Sequence, residues 1–93
     1  MPPKKDRFKE YDVRIKQATS ILSIISEDNT TPRNIRHVAK EAKDILAVSS
    51  QTQAVRAAQA ITILDEISQD TNMPAYTRTR IWNVVSILAV LKE

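Results

Sequence analysis

The chain has 93 residues, of which 42% are hydrophobic and 27% are charged, and its formal net charge is +3. The absence of cysteine excludes disulfides and thiolate metal sites, and the absence of glycine excludes the Gly-rich loops that bind phosphates in nucleotide-binding proteins. No apolar run approaches the roughly 20 residues of a membrane-spanning helix, and the first residues do not resemble a secretory signal, so we expect a cytoplasmic protein.

The N-terminal half of the chain predicts two helices. Residues 1–5 are basic and lack apolar spacing, so we predict a disordered tail ahead of a single domain that spans residues 6–93. From Phe8 to Ile25, apolar residues recur every three or four positions, which predicts a long amphipathic helix. A polar break at residues 26–31 precedes a second helix, which is expected to start at Pro32 and to continue to Leu46.

The C-terminal half repeats this pattern. Residues 13–36 realign onto residues 55–78 at an offset of 42 without a gap, and 11 of the 24 positions are identical. The third predicted helix follows Thr52, and the fourth runs from about Pro74 to Leu91 and is apolar on almost every side. A period of this length is typical of two-helix repeats such as HEAT and armadillo. Because two copies are too few for an open solenoid, we predict an all-α four-helix bundle in which two duplicated hairpins close on each other.

Both copies carry one turn sequence, in which an aspartate, a proline and an arginine follow each other at intervals of four residues. This order is similar to that of the turn within HEAT-like hairpins. An aspartate can accept hydrogen bonds from free N–H groups at the start of the next helix, and an arginine can brace the same turn. We therefore predict a structural role for Asp28, Pro32, Arg36, Asp70, Pro74 and Arg78.

A group of positive charges marks the start of the second predicted helix. Because a cation in the first helical turn opposes the helix dipole, helix stability does not explain Arg33 and Arg36. With Lys40 they could line an exposed helix N-terminus, where phosphate groups bind readily, although a solvated surface is the alternative. The candidate residues for binding nucleic acid or another anion are Lys4, Lys5, Arg33, Arg36 and Lys40.

The fourth predicted helix has more apolar residues than one buried stripe needs. A helix that is hydrophobic all round is either central in a fold or covered by another chain. Two roles therefore stay open for the surplus side chains, which are ordinary core packing and a surface for a partner or a second copy. The candidate partner-binding residues are Tyr76, Trp82, Ile87 and Val90.

The inventory of reactive side chains is poor for an enzyme. The chain has one histidine, His37, which has no second His or Cys to share a metal ion. Asp65 and Glu66 are adjacent on a helix and point in different directions, so they cannot act as a close carboxylate pair. We predict no catalytic activity, no cofactor and no metal.

Three strings, ISEDNTTPRNIR, AVRAAQAITILDEIS and MPAYTRTRIWNVVS, resemble those of a small archaeal family of uncharacterised helical proteins. The similarity covers about residues 15–88. The resemblance implies a compact bundle without known catalysis, similar to the small accessory subunit that accompanies the B-family DNA polymerase in some archaea. The expected function is a non-catalytic protein-interaction module, with this polymerase as the suggested partner. The alternative is direct binding of nucleic acid without sequence specificity, and a self-assembling structural protein is a third option.

Overall fold

The computed structural model describes the backbone of residues 4–93 and the side chains of residues 7–93. Four helices form in chain order, and no strand occurs among these residues. They are α1 (Lys4–Glu27), α2 (Arg33–Leu46), α3 (Gln53–Ile67) and α4 (Ala75–Leu88). The prediction of an all-α fold with four helices is therefore confirmed.

The two ends of the helical region differ from the sequence prediction. Helix α1 begins at Lys4, so Lys4 and Lys5 belong to a helix and not to the predicted tail, of which residues 1–3 lie outside the described residues. Helix α4 ends at Leu88 and not at Leu91. The N–H of Leu91 donates to the carbonyl of Leu88 at 3.0 Å, and the Leu91 side chain is buried in the core. Leu91 thus fills the predicted core position from a turn that follows the helix.

The helices form a closed ring of neighbours. Helix α1 packs against α2 and α4, and α3 packs against the same two helices. Helices α1 and α3, which correspond in the two copies, also meet across the centre. The alanines at equivalent positions of these two helices, Ala18 and Ala60, are fully buried, and small side chains allow helix axes to approach. The closed arrangement predicted for the two hairpins is the one that the structure shows.

Equivalent positions of the two copies build the core. Leu22 and Leu64 are both fully buried, as are Leu46 and Leu88 at the ends of their hairpins. Burying a leucine side chain is worth about 1.5–3 kcal/mol, so these pairs contribute much of the stability of the bundle. The 3.6-residue periodicity of the sequence therefore identifies most of the inner face of each helix, but Phe8, the first residue of the predicted stripe in α1, is 60% exposed near the helix start.

At one end of the bundle, hydrogen bonds join the first half of α1 to the segment after α4 and to the start of α3. The backbone N–H of Lys92 donates to the Tyr11 hydroxyl at 3.3 Å, and the Gln53 side-chain amide donates to the Phe8 carbonyl at 3.0 Å. The two Asp–Pro–Arg turns lie at the opposite end, where α1 passes to α2 and α3 passes to α4. The duplicated sequence therefore comes together at one end of the molecule.

Candidate functional site

Each Asp–Pro–Arg turn is organised by its aspartate. Asp28 accepts a hydrogen bond from the Thr30 hydroxyl at 2.6 Å and one from the Thr30 N–H at 2.9 Å, and Asp70 accepts one from the Asn72 N–H at 2.8 Å. The Thr30 hydroxyl is the largest cause that lowers the pKa of Asp28 below its ordinary value of 3.8. The Asn72 N–H is the largest cause that lowers the pKa of Asp70. The carboxylates therefore bind N–H groups inside the turn, two residues further on, and not at the helix start as predicted.

The prolines fix the point at which α2 and α4 begin. Pro32 and Pro74 immediately precede the two helices and have nearly the same backbone angles, with φ of −52° and −58° and ψ of 146° in both. The pyrrolidine ring holds φ near this value. The Pro32 carbonyl accepts the N–H of Arg36 at 3.1 Å, and the Pro74 carbonyl accepts that of Arg78 at 3.0 Å, so each proline supplies the first helical acceptor.

A buried hydrogen bond joins the two turns. The hydroxyls of Thr31 and Thr77 lie 3.3 Å apart, and the two side chains are only 2% and 0% exposed. Thr31 also approaches the Asp28 carboxylate, with 3.3 Å between its hydroxyl and Oδ2. A polar pair in such a site stabilises the fold only while each hydroxyl has its partner.

Two further contacts cross between the turns in a reciprocal way. The Asn34 side-chain amide donates to Asp70 at 2.7 Å, and the Tyr76 hydroxyl is hydrogen-bonded to that of Thr30. Asn34 and Tyr76 occupy equivalent positions of the two copies, so each copy extends one side chain to the turn of the other. These residues fix how the hairpins close.

Arg80 reinforces the same contact. Its guanidinium lies 3.7 Å from Asp28 and 5.4 Å from the centroid of the Tyr76 ring. Tyr76 remains 44% exposed, but its hydroxyl and its ring are both engaged within the bundle. Its observed role is to link the two turns, whereas the sequence suggested partner binding.

The two equivalent arginines are used differently. Arg78 donates to the Ser68 carbonyl at 3.3 Å and to the Asp70 carbonyl at 2.8 Å, which braces its turn as predicted. Arg36 makes one long contact, 3.5 Å to the side chain of Asn29. Its Nε is buried and has no hydrogen-bond partner among the described residues. The predicted bracing role therefore applies to Arg78, and the first turn lacks the equivalent bonds to its carbonyls.

Arg36 lies instead in a shallow groove of about 500 Å³ between the end of α1 and one face of α2. Arg33, Lys40 and Lys43 lie in the same groove, and the spacing of these four cations by three or four residues places them on one helix face. We call this feature the basic groove, and its lining residues are Ser26, Glu27, Arg33, Arg36, His37, Lys40 and Lys43. Lys4 and Lys5, also predicted to bind anions, have side chains outside the described part of the chain.

Trp82 lies away from the core, on the outer side of α4, and 56% of its surface is exposed. Its exposed neighbours on that side are one turn or two turns away along the helix and carry no charge. We call this surface the outer face of α4, and it consists of Ala75, Thr79, Trp82, Ser86 and Ala89.

The other predicted partner-binding residues are not part of this face. Ile87 packs partly against the core, and its carbonyl accepts a hydrogen bond from Arg14 at 3.3 Å. Val90 is exposed but follows the end of α4. Tyr76 is engaged between the turns. The four predicted residues are therefore distributed over separate surfaces, and Trp82 alone lies at the centre of an uncharged one.

Sequence reasoning missed several residues of these features. Lys43 follows Lys40 by three positions, and extending the predicted basic stripe by one turn would have included it. Thr31, Asn34 and Thr77 gave no such signal, because their contacts join residues of different hairpins. Such contacts exist only after the hairpins have closed.

Within residues 7–93 there is no group of three or more His, Cys, Asp or Glu side chains arranged to hold a metal ion. No helix in the described part of the chain is both long and apolar enough to cross a membrane.

The fold and the contacts between its turns define a class of small all-α proteins, in which two copies of one helical hairpin close on each other. Residues 3–91 match a family described as uncharacterised protein family UPF0147, and the chain belongs to this family. The predicted resemblance to an uncharacterised archaeal family is therefore confirmed.

Relatives of known sequence and structure agree with this assignment. A UPF0147 protein of Sulfurisphaera tokodaii is 54% identical over 84 residues, which cover 90% of this chain and 94% of that protein. A crystal structure of a UPF0147 protein from Thermoplasma acidophilum has a TM-score of 0.84 at 30% identity and covers 90% of this chain and 99% of that one. A crystal structure of a protein of unknown function has a TM-score of 0.83 at 49% identity, covering 86% and 91%. None of these descriptions mentions a DNA polymerase or nucleic acid.

Proposed function

We propose that the protein is a non-catalytic helical module that binds a partner protein through the outer face of α4. The exposure of Trp82 is the observation that carries this proposal. Tryptophan combines a large apolar ring with an N–H donor, and it is among the residues most enriched at the energetic centre of protein interfaces.

The bundle does not use Trp82 for its own core. Ile81, Val84 and Leu88 form the inner stripe of α4, and all three are fully buried. Since this stripe is complete without Trp82, more than half of the Trp82 surface is left exposed outside the core. Its exposed apolar surface would gain free energy from burial against another chain.

The composition of the outer face indicates the chemistry of the partner. Ala75, Ser86 and Ala89 are small, so a partner helix can approach α4 closely beside the indole. The five exposed residues of the face carry no charge, and the half-buried Arg78, one turn before Trp82, is bound to its own turn, which favours an uncharged apolar partner surface with a pocket for the ring and an acceptor for its N–H. A B-family DNA polymerase is the first partner to test, on the strength of the sequence resemblance.

Two alanine variants test the proposal. Trp82→Ala removes the proposed anchor, and Ile24→Ala is the matched control because Ile24 is 52% exposed on α1. Binding of each purified variant to purified archaeal B-family polymerase is measured by titration calorimetry. Loss of an anchoring tryptophan typically costs 2 kcal/mol or more, so we expect affinity to fall by at least about 30-fold for Trp82→Ala and by less than about threefold for Ile24→Ala.

Three results would contradict the proposal. Equal affinities of Trp82→Ala and the parent would exclude the outer face of α4 as the interface with this enzyme. Loss of the helical circular dichroism signal in Trp82→Ala would show that the side chain supports the core. A change in Trp82 fluorescence with the concentration of the isolated protein would show that a second copy covers this face.

A further inference from the structure

We infer that the basic groove binds a phosphate-bearing ligand, with Arg36 as its central donor. This inference is independent of the proposed partner surface, because α2 and α4 occupy opposite corners of the ring and do not contact each other. Within residues 7–93, the ion pairs involve Glu10, Asp12 and Asp28, and none includes a cation of the groove.

The second copy of the hairpin serves as an internal reference for these cations. Arg33, Lys40 and Lys43 correspond to Ala75, Trp82 and Val85, so the hairpin fold does not require positive charge at these positions. Like charges at three- and four-residue spacing on one helix face destabilise the helix. An anion bound in the groove would relieve this repulsion.

Arg36 differs from its equivalent in the second copy. Its equivalent, Arg78, uses its guanidinium on two carbonyls of its own turn. Arg36 has no bond of that kind, and its buried Nε lacks a partner among the described residues. A guanidinium has five N–H donors in a fixed fork, and a buried donor without an acceptor is costly. The Nη2 group, which in Arg78 donates to the Asp70 carbonyl, makes no hydrogen bond in Arg36 among the described residues, so this terminal group is free to bind a ligand, whereas the buried Nε is not reached from solvent.

The ligand class follows from these donors. A planar guanidinium matches the oxygens of a phosphate group in a bidentate way, and lysines add point charges around it. From Arg33 to Lys43 the groove spans about 15 Å of helix, comparable to roughly four phosphates along one strand of a duplex. The lining has one acidic residue, Glu27 at the end of α1, and the exposed Asp44 stands one turn beyond Lys40, so the four cations outnumber the carboxylates beside them. Phosphate could come from a free phosphorylated compound or from a nucleic-acid backbone.

The experiment compares two triple variants with the same change in charge. The groove variant is Arg33→Gln, Arg36→Gln, Lys40→Gln, and the control is Lys9→Gln, Lys16→Gln, Lys92→Gln, whose exposed cations lie outside the groove. Two probes are used. Binding of pyrophosphate is measured from amide chemical shifts, and binding of a fluorescent single-stranded oligonucleotide is measured from its anisotropy. Circular dichroism confirms that each variant is folded, and Arg33→Gln, Lys40→Gln replaces the triple variant if Arg36→Gln unfolds it.

We expect amides at the start of α2 to shift with pyrophosphate in the parent and in the control. In the groove variant, affinity should fall at least tenfold. If the source is a nucleic-acid backbone, the oligonucleotide also binds, with a logarithmic salt slope of roughly −2 for three contacts, and the groove variant loses this slope. If pyrophosphate binds and the oligonucleotide does not, the source is a free phosphorylated compound. Equal losses in the groove and control variants, or no binding of either probe, would overturn the inference.

Discussion

The hydrogen bond between Thr31 and Thr77 can be tested with valine substitutions made singly and together. Valine has nearly the shape of threonine, so the substitution removes the hydroxyl and leaves the packing of the side chain. The contact is suited to a double-mutant cycle because both residues are buried and belong to different hairpins.

The structure predicts unequal costs for the two single substitutions. Thr31→Val leaves the fully buried Thr77 hydroxyl without its partner, which should cost about 1–3 kcal/mol. Thr77→Val leaves the Thr31 hydroxyl beside Asp28, so it should cost less, about 0.5–1.5 kcal/mol. The double variant has no unpaired hydroxyl at this position. It should therefore be no less stable than Thr31→Val alone, which gives a coupling energy of about 1 kcal/mol.

Unfolding in guanidinium chloride, followed by helical circular dichroism, measures these free energies. For a domain of this size, 1 kcal/mol also corresponds to a change of about 4–8 °C in Tm, which gives an independent check. Thr79→Val is the control, because its exposed hydroxyl bonds only to the Ala75 carbonyl within α4, and we expect a change within about 0.5 kcal/mol. If the cost of the double variant equals the sum of the single costs to within about 0.5 kcal/mol, the two hydroxyls are not coupled and the reasoning fails.

Two further predictions concern the turns. Arg78→Gln should destabilise the protein by about 1–3 kcal/mol, because two carbonyls lose a charged donor, whereas Arg36→Gln should cost less than about 1 kcal/mol. Equal free-energy costs of the two variants in guanidinium unfolding would contradict the different roles of the two arginines. Because the pKa values of Asp28 and Asp70 are lower in the folded protein than their ordinary value of 3.8, the stability that they add is present above that value and is lost as the pH falls through the folded pKa values. Between about pH 5 and pH 2, Tm should therefore fall less in Asp28→Asn, Asp70→Asn than in the parent, and identical slopes would refute this.

The sequence was sufficient to predict four helices and most of the residues on their inner faces, but not the two outer helix ends. The repeat and the helical spacing predict burial at positions such as Leu22 and Leu64, because a residue on the apolar stripe of an amphipathic helix faces the core. The number of copies also predicted that the two hairpins close on each other, because two copies alone cannot bury their apolar faces in an open stack. These features depend on local periodicity and on copy number.

Details of the candidate sites depended on information that the local pattern does not contain. Arg36 and Arg78 occupy equivalent positions of the two copies. The three residues between the shared aspartate and proline differ, however, and are Asn-Thr-Thr in the first turn and Thr-Asn-Met in the second. For Trp82, helical spacing left core and surface both open, and the completed stripe of α4 decided between them. The partners of Asn34 and Tyr76 required the register between hairpins, which no single segment encodes.

The ring of helices has a consequence for the order of the chain itself. Helices α1 and α3 have the same two neighbours in the ring, α2 and α4, so the order of helices around the ring is the same from either starting point. The end of α4 lies beside α1 at the contact of Lys92 with Tyr11, and the connection between α2 and α3, residues 47–52, is exposed along its whole length. A circularly permuted chain that began at Gln53 and continued from α4 through a linker into α1 would retain the same core and the same contacts between turns. In their order around the ring, the two hairpins thus correspond to the subunits of a pseudosymmetric dimer, and we expect the connection between α2 and α3 to act mainly by raising their local concentration.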